Sequence, residues 1–389
     1  MLKIEEIQFI QEHLEEDPYR LSLMKNRDNK LSLPKLVLQI QARQKLAHKL
    51  PSWVNNPAIF FPSQLHLEQA SSQDTALFKA QLVKGNLLDL TGGMGIDVWA
   101  FAQTCSSVTY IERDPQLTQV SSYNHQVLGL NNINHICGDG REYLQKHPED
   151  WDYVYIDPAR RGSKGEKVIL LEDCEPNVTE LLDRINKKTQ ILIKTSPLLD
   201  ISRAIESLQG VDKVWIICVK NEVKELLFLK SINSNRDPLI EVHELSDNPS
   251  LLFQARLGEE REATATLGHL DQYLYEPHAG ILKAGFFKMI AGTAHKLALH
   301  THLYASHEKI SHFPGRKFKV LAQGSLDKKW LSEHLTEGKA NISTRNFPLS
   351  PEEIRKKWKI KEGGPKTLFA FQDMHQKKLV ALCEKCDPN

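Results

Sequence analysis

Asn86-Leu-Leu-Asp-Leu-Thr-Gly-Gly-Met-Gly-Ile-Asp97 decides how this chain is read. An apolar run ends in an acid, a glycine-dense turn follows, and a helix-forming segment from Val98 to Thr104 takes over. A buried strand that feeds a tight turn and a helix N-terminus makes a nucleotide-sized pocket at the carboxyl edge of a sheet. Gly92, Gly93 and Gly95 let the backbone turn sharply and approach a ligand, because no Cβ obstructs either move. The spacing is G-G-x-G, without the third glycine of a dinucleotide fingerprint, and nothing basic lies in the loop to hold a phosphate. Asp89 at the strand end repels a pyrophosphate and attracts an ammonium group. These features point to an amino-acid-bearing nucleoside, S-adenosylmethionine (SAM), rather than to NAD.

Further acids follow at strand ends. Ser107-Val-Thr-Tyr-Ile-Glu112 reads as a second strand, and an acid about 20 residues after the glycine turn is where a ribose diol is held. Asn134 to Asp139 is a third strand, in which Asp139 is placed to accept from an adenine amino group. Trp151 to Asp157 is a fourth and runs into Pro158-Ala-Arg-Arg161. Helical segments are predicted over Pro115–Gly129 and Arg141–His147. Strands follow at Gln190–Lys194, Lys213–Val219 and Val223–Leu229, the last two joined by a Lys220-Asn221-Glu222 hairpin turn. Strand–helix alternation closing on an antiparallel hairpin predicts a doubly wound α/β sheet with a reversed final strand.

Asp89-x-Thr-Gly-Gly-x-Gly95 with Glu112, Asp139 and Asp157-Pro158 resembles the motif set of class I SAM-dependent methyltransferases, which have a Rossmann-like seven-stranded core. The resemblance implies Asp89, Gly92, Gly93 and Gly95 around the methionine part of SAM. It also implies Glu112 on the ribose and Asp139 near the adenine; Thr91, Asp97, Arg113, Gly140 and Ser72 are further cofactor-binding candidates, Ser72 as a residue closing over the methionine end. Gln69 and Ser71 are candidates for the same closing role, and all three could equally cap the following helix. The whole chain resembles a bacterial methyltransferase family with a C-terminal THUMP-like domain. The matching segments are Glu68–Thr75, Asp157–Arg160, Lys194-Thr-Ser-Pro197 with Asp200, and Asn341–Pro348. THUMP domains elsewhere bind RNA, so the resemblance implies an RNA substrate, tRNA or rRNA.

Composition fits a globular enzyme of several domains: 389 residues, 41% hydrophobic and 25% charged. No stretch approaches the roughly 20 apolar residues of a membrane span, and Met-Leu-Lys-Ile-Glu-Glu does not read as a signal peptide. A cytoplasmic protein without a membrane partner is therefore expected, and its six cysteines show no disulfide framework. No metal is expected. Cys383-x-x-Cys386 is a single pair, and the histidines at 295, 300, 302, 307 and 312 have no i, i+4 spacing. Charge is divided unequally. Residues 288–389 hold 19 Lys and Arg against 10 Asp and Glu, which leaves 31 against 39 from the totals of 50 and 49. A basic module on an acidic body suits a polyanionic substrate. Arg316-Lys-Phe-Lys319, Arg345-Asn-Phe347 and Arg355-Lys-Lys-Trp-Lys359 interleave rings with bases, so Arg345 and Lys357 are substrate-binding candidates.

Four regions are predicted. Residues 1–84 are helical, with one helix from Pro34 to Leu50 and another from Gln64 to Leu82. Residues 85–231 form the methyltransferase core. Residues 232–317 form an α+β (ferredoxin-like) domain with strands at Leu239–Leu245 and Ser250–Arg256 and a helix at Lys283–Leu299. Residues 318–389 form the basic THUMP-like domain, in the order β-α-β-α-β-β.

For the reaction, Asp157, Pro158 and Arg160 are the catalytic candidates, and Arg161, Lys194 and Ser196 join the substrate pocket. In amino-methyltransferases an Asn/Asp-Pro-Pro-aromatic tetrad holds the target nitrogen and stacks on the base. Here Arg160 replaces the ring, which weakens the exocyclic-amine reading, although a guanidinium plane also stacks on bases. Thr195-Ser196-Pro197 has no cysteine where carbon methylation of a pyrimidine needs its nucleophile. The expected reaction is methylation of a base nitrogen in structured RNA. A protein or small-molecule substrate, or a non-catalytic RNA-binding role, remains open at this level.

Overall fold

The computed structural model describes residues 1–23, 32–62, 64–148, 151–160, 171–231, 234, 237–246 and 249–386, with the side chains of 64, 65 and 160 outside the description. The chain forms two compact units, Met1–Val214 with Glu225–Arg236, and Trp215–Lys224 with Asp237–Asn389.

The first unit opens with short helices. Ile4–Glu12, Pro18–Ser22 and Leu33–Leu46 bury Ile10, Leu21, Leu36 and Ile40 against one another. The helix predicted from Pro34 ends at Leu46, before a separate turn at Pro51–Val54. The single helix predicted over 64–82 is two, Gln64–Gln69 and Gln73–Ala80. Ser72 breaks it by capping the second, its hydroxyl accepting from the Thr75 amide at 3.3 Å.

The strands that begin or end in this unit are β1 (Asn86–Asp89), β2 (Ser107–Glu112), β3 (Ile133–Cys137), β4 (Tyr153–Ile156), β5 (Gln190–Thr195), β6 (Lys213–Val219) and β7 (Glu222–Lys230). Their order is β3-β2-β1-β4-β5-β7-β6. β1 to β5 are mutually parallel, and β7 runs antiparallel to β5 with Ile193 opposite Phe228. All four residues of β4 are buried, as a strand covered on both faces requires. Lys220 and Asn221 both have positive φ, which gives the β6–β7 turn the twist that a two-residue hairpin favours. The unit boundary crosses this hairpin: its base belongs to the first unit and its tip, 215–224, to the second.

In the second unit β8 (Leu239–Glu244) pairs antiparallel with β9 (Ser250–Arg256). A further sheet holds β10 (Tyr273–Pro277), β11 (Tyr304–Ser306), β12 (Gly315–Gly324), β13 (Asn341–Arg345), β14 (Lys366–Gln372) and β15 (Lys378–Lys385). Their order is β11-β10-β12-β15-β14-β13. Along β14, Leu368 and Ala370 enter a core with Trp330, Leu331 and Ile354, while Phe369 and Phe371 join Leu274, Leu303 and Phe318. This is the period-two division of a sheet that packs on both faces. The helix predicted over Lys283–Leu299 is absent: a helix spans Ala279–Ala284 and ends at Gly285, whose φ of +78° is a left-handed C-cap. A 3-10 turn at Met289–Ala291 and a two-residue strand at His295–Lys296 occupy the rest.

Candidate active site at the carboxyl ends of the first sheet

The glycine turn is fixed from three sides. The Gly92 amide donates to the Ile111 carbonyl at 2.8 Å, and the Gly93 amide donates to Glu112 Oε2 at 2.9 Å. Tyr110 and Ser121 donate their hydroxyls to the Gly93 carbonyl at 2.7 and 3.1 Å. A Cβ on Gly92 would lie 2.2 Å from the Tyr110 ring, so glycine is required there by close packing. Gly93 has φ +54° and meets only the Thr91 carbonyl, at 3.8 Å, so the space over it is open. Beneath the loop His125 is buried and donates Nε2–H to the Gly95 carbonyl at 2.8 Å, which makes its Nδ1 the acceptor for His135 Nε2 at 2.7 Å. Burial lowers the His125 pKa to about 3, so the ring stays neutral.

The strand-end acids have distinct surroundings. Asp89 is buried and accepts from the Thr91 amide at 2.8 Å. Burial raises its pKa well above the carboxylate range, and Asp97 and Asp157 add to the rise. The Thr91 hydroxyl accepts from the Asp157 amide at 2.7 Å, which ties the glycine loop to the end of β4. Asp139 caps Gly140–Lys146 and is held by Arg141 and Arg113 at 2.7 and 2.8 Å, with Glu175 bridging the same two arginines. The hydrogen bond from Arg141 leads the causes that lower the Asp139 pKa to about 2. A Cβ on Gly140 would lie 2.7 Å from the Leu90 carbonyl, so this helix start presses on the glycine loop.

Behind Asp157 lies a cluster of buried charges that sequence reasoning identified only in part. Lys79, fully buried on Gln73–Ala80, reaches Glu225 of β7 at 2.6 Å and Asp97 at 3.2 Å. Asp97 also accepts from Tyr155 at 2.8 Å and Ser71 at 3.0 Å. Lys194, at the end of β5, pairs with Asp157 and lies 3.9 Å from Asp97. Burial works against charge on Lys194, but Asp157, Asp97 and Glu225 outweigh it and raise the pKa above the usual lysine value. Glu225 is raised by burial; for Asp97, burial is offset by Lys79 and Lys194, which lower it. Lys79 and Glu225 were not singled out from sequence. The available signal was an acid inside the apolar run Glu222–Leu229 and a lysine on the buried face of a helix.

The other candidates are placed as follows. Ser71 rather than Ser72 touches the cluster, Ser72 being the helix cap. Pro158 is buried, and Ser196 accepts from the Leu198 amide at 3.2 Å. Arg161 and the Arg160 side chain lie outside the described residues. In the second unit Arg345 donates to Glu276 at 2.6 Å, and Arg316 pairs with the same carboxylate, which is 1% exposed. Arg345 is thus committed to a buried acid. Phe318 lies in the core, so the first basic-aromatic cluster has no ring free to stack. Lys357 is exposed beside Trp358, 4.6 Å from the ring centroid. Among the described residues no group of three His, Cys, Asp or Glu could hold a metal, and no helix is long and apolar enough to cross a membrane.

A parallel sheet in the order 3-2-1-4-5-7-6 with a reversed β7, a glycine turn after β1 and acids at the following strand ends is the architecture of a class I SAM-dependent methyltransferase. The comparisons with known proteins agree. A Porphyromonas gingivalis protein provisionally described as a methyltransferase has a crystal structure 32% identical in sequence, with a TM-score of 0.85, covering 99% of this chain and 98% of that one. This chain belongs to the same methyltransferase family as that protein. An uncharacterized SAM-dependent methyltransferase of Mycobacterium tuberculosis (strain H37Rv) is 22% identical over 348 residues, 85% of this chain and 90% of its own length. An uncharacterized RNA methyltransferase of Mycoplasma mobile is 32% identical over 91 residues, 23% of this chain and 25% of its own. A ferredoxin-like domain profile matches residues 273–314, and a THUMP domain-like profile matches residues 315–385. The cofactor is SAM, which supplies an electrophilic methyl group.

Proposed function

We propose that this enzyme methylates structured RNA, tRNA or rRNA, in the cytoplasm. The observation that carries the reading is the coincidence of the THUMP-like match at 315–385 with the basic part of the chain. That segment lies on the same chain as a core whose strand ends suit SAM. The Mycoplasma mobile relative, an RNA methyltransferase by name, supports the same substrate class. We assign the four regions 1–84, 85–231, 232–317 and 318–389 to helical, catalytic, ferredoxin-like and RNA-binding roles.

Within the core, the open space above Gly93 is the cradle for SAM. Asp89, Thr91, Gly92, Gly93, Gly95 and Asp97 face its methionine end, with Ser72 nearby. An ammonium group arriving beside Asp89 supplies the positive charge that favours its ionised form. Glu112, already holding the loop through the Gly93 amide, is the ribose acceptor. Asp139 with Gly140 and Arg113 borders the adenine. Asp157 and Pro158 face the methyl acceptor beside Lys194 and Ser196, and Arg160 and Arg161 are proposed for the same acceptor from the sequence alone. Asp157-Pro158 supports a base nitrogen as that acceptor. In-line positioning supplies much of the rate, because the sulfonium is already activated.

The test is mass spectrometry of nucleosides in tRNA and rRNA from a strain lacking the gene. The expected result is loss of one methylated nucleoside, restored by the wild-type gene and not by an Asp157→Ala version. An unchanged RNA profile, with SAM-dependent methylation of a protein or small molecule instead, would overturn the reading.

A further inference from the structure

The pairing of Asp157 with Lys194 bears on which atom of the RNA receives the methyl group. The two residues end neighbouring parallel strands, with Ile156 of β4 opposite Ile193 of β5. Their side chains differ in access. Asp157 is 34% exposed and Lys194 11%, so the carboxylate stands at the mouth with the ammonium group just behind it. Together they present an acceptor and a donor side by side. Behind them, Asp97 and Glu225 surround Lys194 and Lys79 with negative charge, which keeps the Lys194 ammonium protonated. Lys194 is therefore a hydrogen-bond donor and a fixed positive charge, not a base.

A fixed positive charge selects among acceptors by the sign of the charge that develops on them. An exocyclic amine attacks through its lone pair and becomes cationic, and an adjacent ammonium group opposes that change. The tetrad position that carries the stacking ring in amino-methyltransferases holds Arg160 here. A lactam edge, in which a ring N–H adjoins a carbonyl, behaves in the opposite way. It loses its proton before or during attack, and the resulting negative charge spreads onto the carbonyl oxygen. Its donor and acceptor also match the acceptor and donor that Asp157 and Lys194 offer.

We infer that the methyl acceptor is the lactam edge of a nucleobase, guanine N1 or uracil N3, with Asp157 taking the ring N–H proton and Lys194 Nζ donating to the neighbouring carbonyl oxygen. The inference rests on the RNA reading above and narrows its base nitrogen to a ring nitrogen. In the step, the N–H bond breaks toward Asp157 and a new N–C bond forms to the donor methyl. The donor's S–C bond breaks with its electron pair returning to sulfur, so a sulfonium becomes a neutral thioether. Asp157 then releases the proton to water. Lys79 and Glu225 are positioning residues that act through Lys194 and Asp97.

The experiment uses the full chain, methyl-labelled SAM and RNA from a strain lacking the gene, followed by digestion to nucleosides and mass spectrometry. Label on guanine N1 or uracil N3 is the expected result. Label on an exocyclic amine, a ribose oxygen or a carbon overturns the inference and leaves the RNA reading intact. RNA that stays unlabelled while another substrate is methylated overturns both. Lys194→Gln is expected to keep SAM affinity within twofold while kcat falls about 10²-fold, the usual effect of losing one charge-stabilising donor. Its rate should then climb with pH across the alkaline range, as ionisation of the base in solution replaces the lost stabilisation. Lys194→Arg, which retains the charge, should recover part of kcat and the wild-type pH profile. A Gln variant with the wild-type profile, or an Arg variant indistinguishable from Gln, counts against a charge-stabilising lysine.

Discussion

Gly93 and Lys79 show how single residues divide the work of this site. Gly93 combines φ +54° with open space where a Cβ would project. Gly93→Trp sets an indole into the cradle and adds about 1–2 kcal/mol of left-handed strain. We expect SAM affinity to fall at least 100-fold by calorimetry, with the fold retained by circular dichroism. Unchanged affinity would remove the cofactor from this loop. Lys79 touches no solvent and stands between Glu225 and Asp97. Lys79→Met leaves Glu225 without its close ammonium partner and Asp97 with Lys194 at 3.9 Å, a loss of about 3–5 kcal/mol. Adding Glu225→Leu should restore part of that stability, measured as a denaturant midpoint, because removing both partners avoids the uncompensated charge. A double variant as unstable as the sum of the single ones would show that the pair is uncoupled.

At the scale of elements, the strand ends of the core are legible in the sequence, and the supports beneath them are not. Asp89, Glu112 and Asp157 announce themselves because an apolar run stops at each. His125 lies in the last turn of Pro115–Val127 and gives no local sign that it carries the Gly95 carbonyl. Lys79 and Glu225 meet across 146 positions of sequence, so only the folded sheet brings them together. The missed helix at Lys283–Leu299 has a simpler cause. Apolar periodicity ran past Gly285, whose left-handed conformation ends the helix. The support by His125 has a measurable consequence. Its pKa falls from 6.5 in the unfolded chain to about 3 in the fold, so protons bind preferentially to the unfolded state. That contribution to stability is complete above about pH 6.5 and is lost as pH falls from there toward 3. His125→Gln should flatten this part of the pH dependence, measured as denaturant midpoints at pH 7 and pH 4. Parallel curves for the two proteins would contradict the neutral buried ring.

At the scale of the whole molecule, the second unit separates basic residues that hold the fold from those left for a ligand. Arg345 and Arg316 share the buried Glu276, and Ser343 donates to it at 2.9 Å. Lys357 is exposed. Arg345→Ala should cost about 1–3 kcal/mol through the under-satisfied Glu276. Lys357→Ala should leave stability within about 0.5 kcal/mol and weaken RNA binding, with the salt slope smaller by about 1. Filter-binding titrations at several salt concentrations, beside denaturation curves, check both; the reverse pattern would exchange the two roles. Sequence supplied the excess of positive charge but not this division, since an arginine opposite a buried acid looks like any other until β10 and β13 are in place. The hairpin crossed by the unit boundary has a consequence for ancestry. The tip at 215–224 belongs with β8, as the Leu245 amide bonded to the Cys218 carbonyl at 2.8 Å shows, whereas 225–236 returns to the first unit. Neither unit is one uninterrupted stretch of gene. A single recombination breakpoint cannot exchange the second unit whole, because one before 215 also takes 225–236 from the first unit and one after 236 leaves the tip behind, so the two units are expected to have been inherited together rather than shuffled.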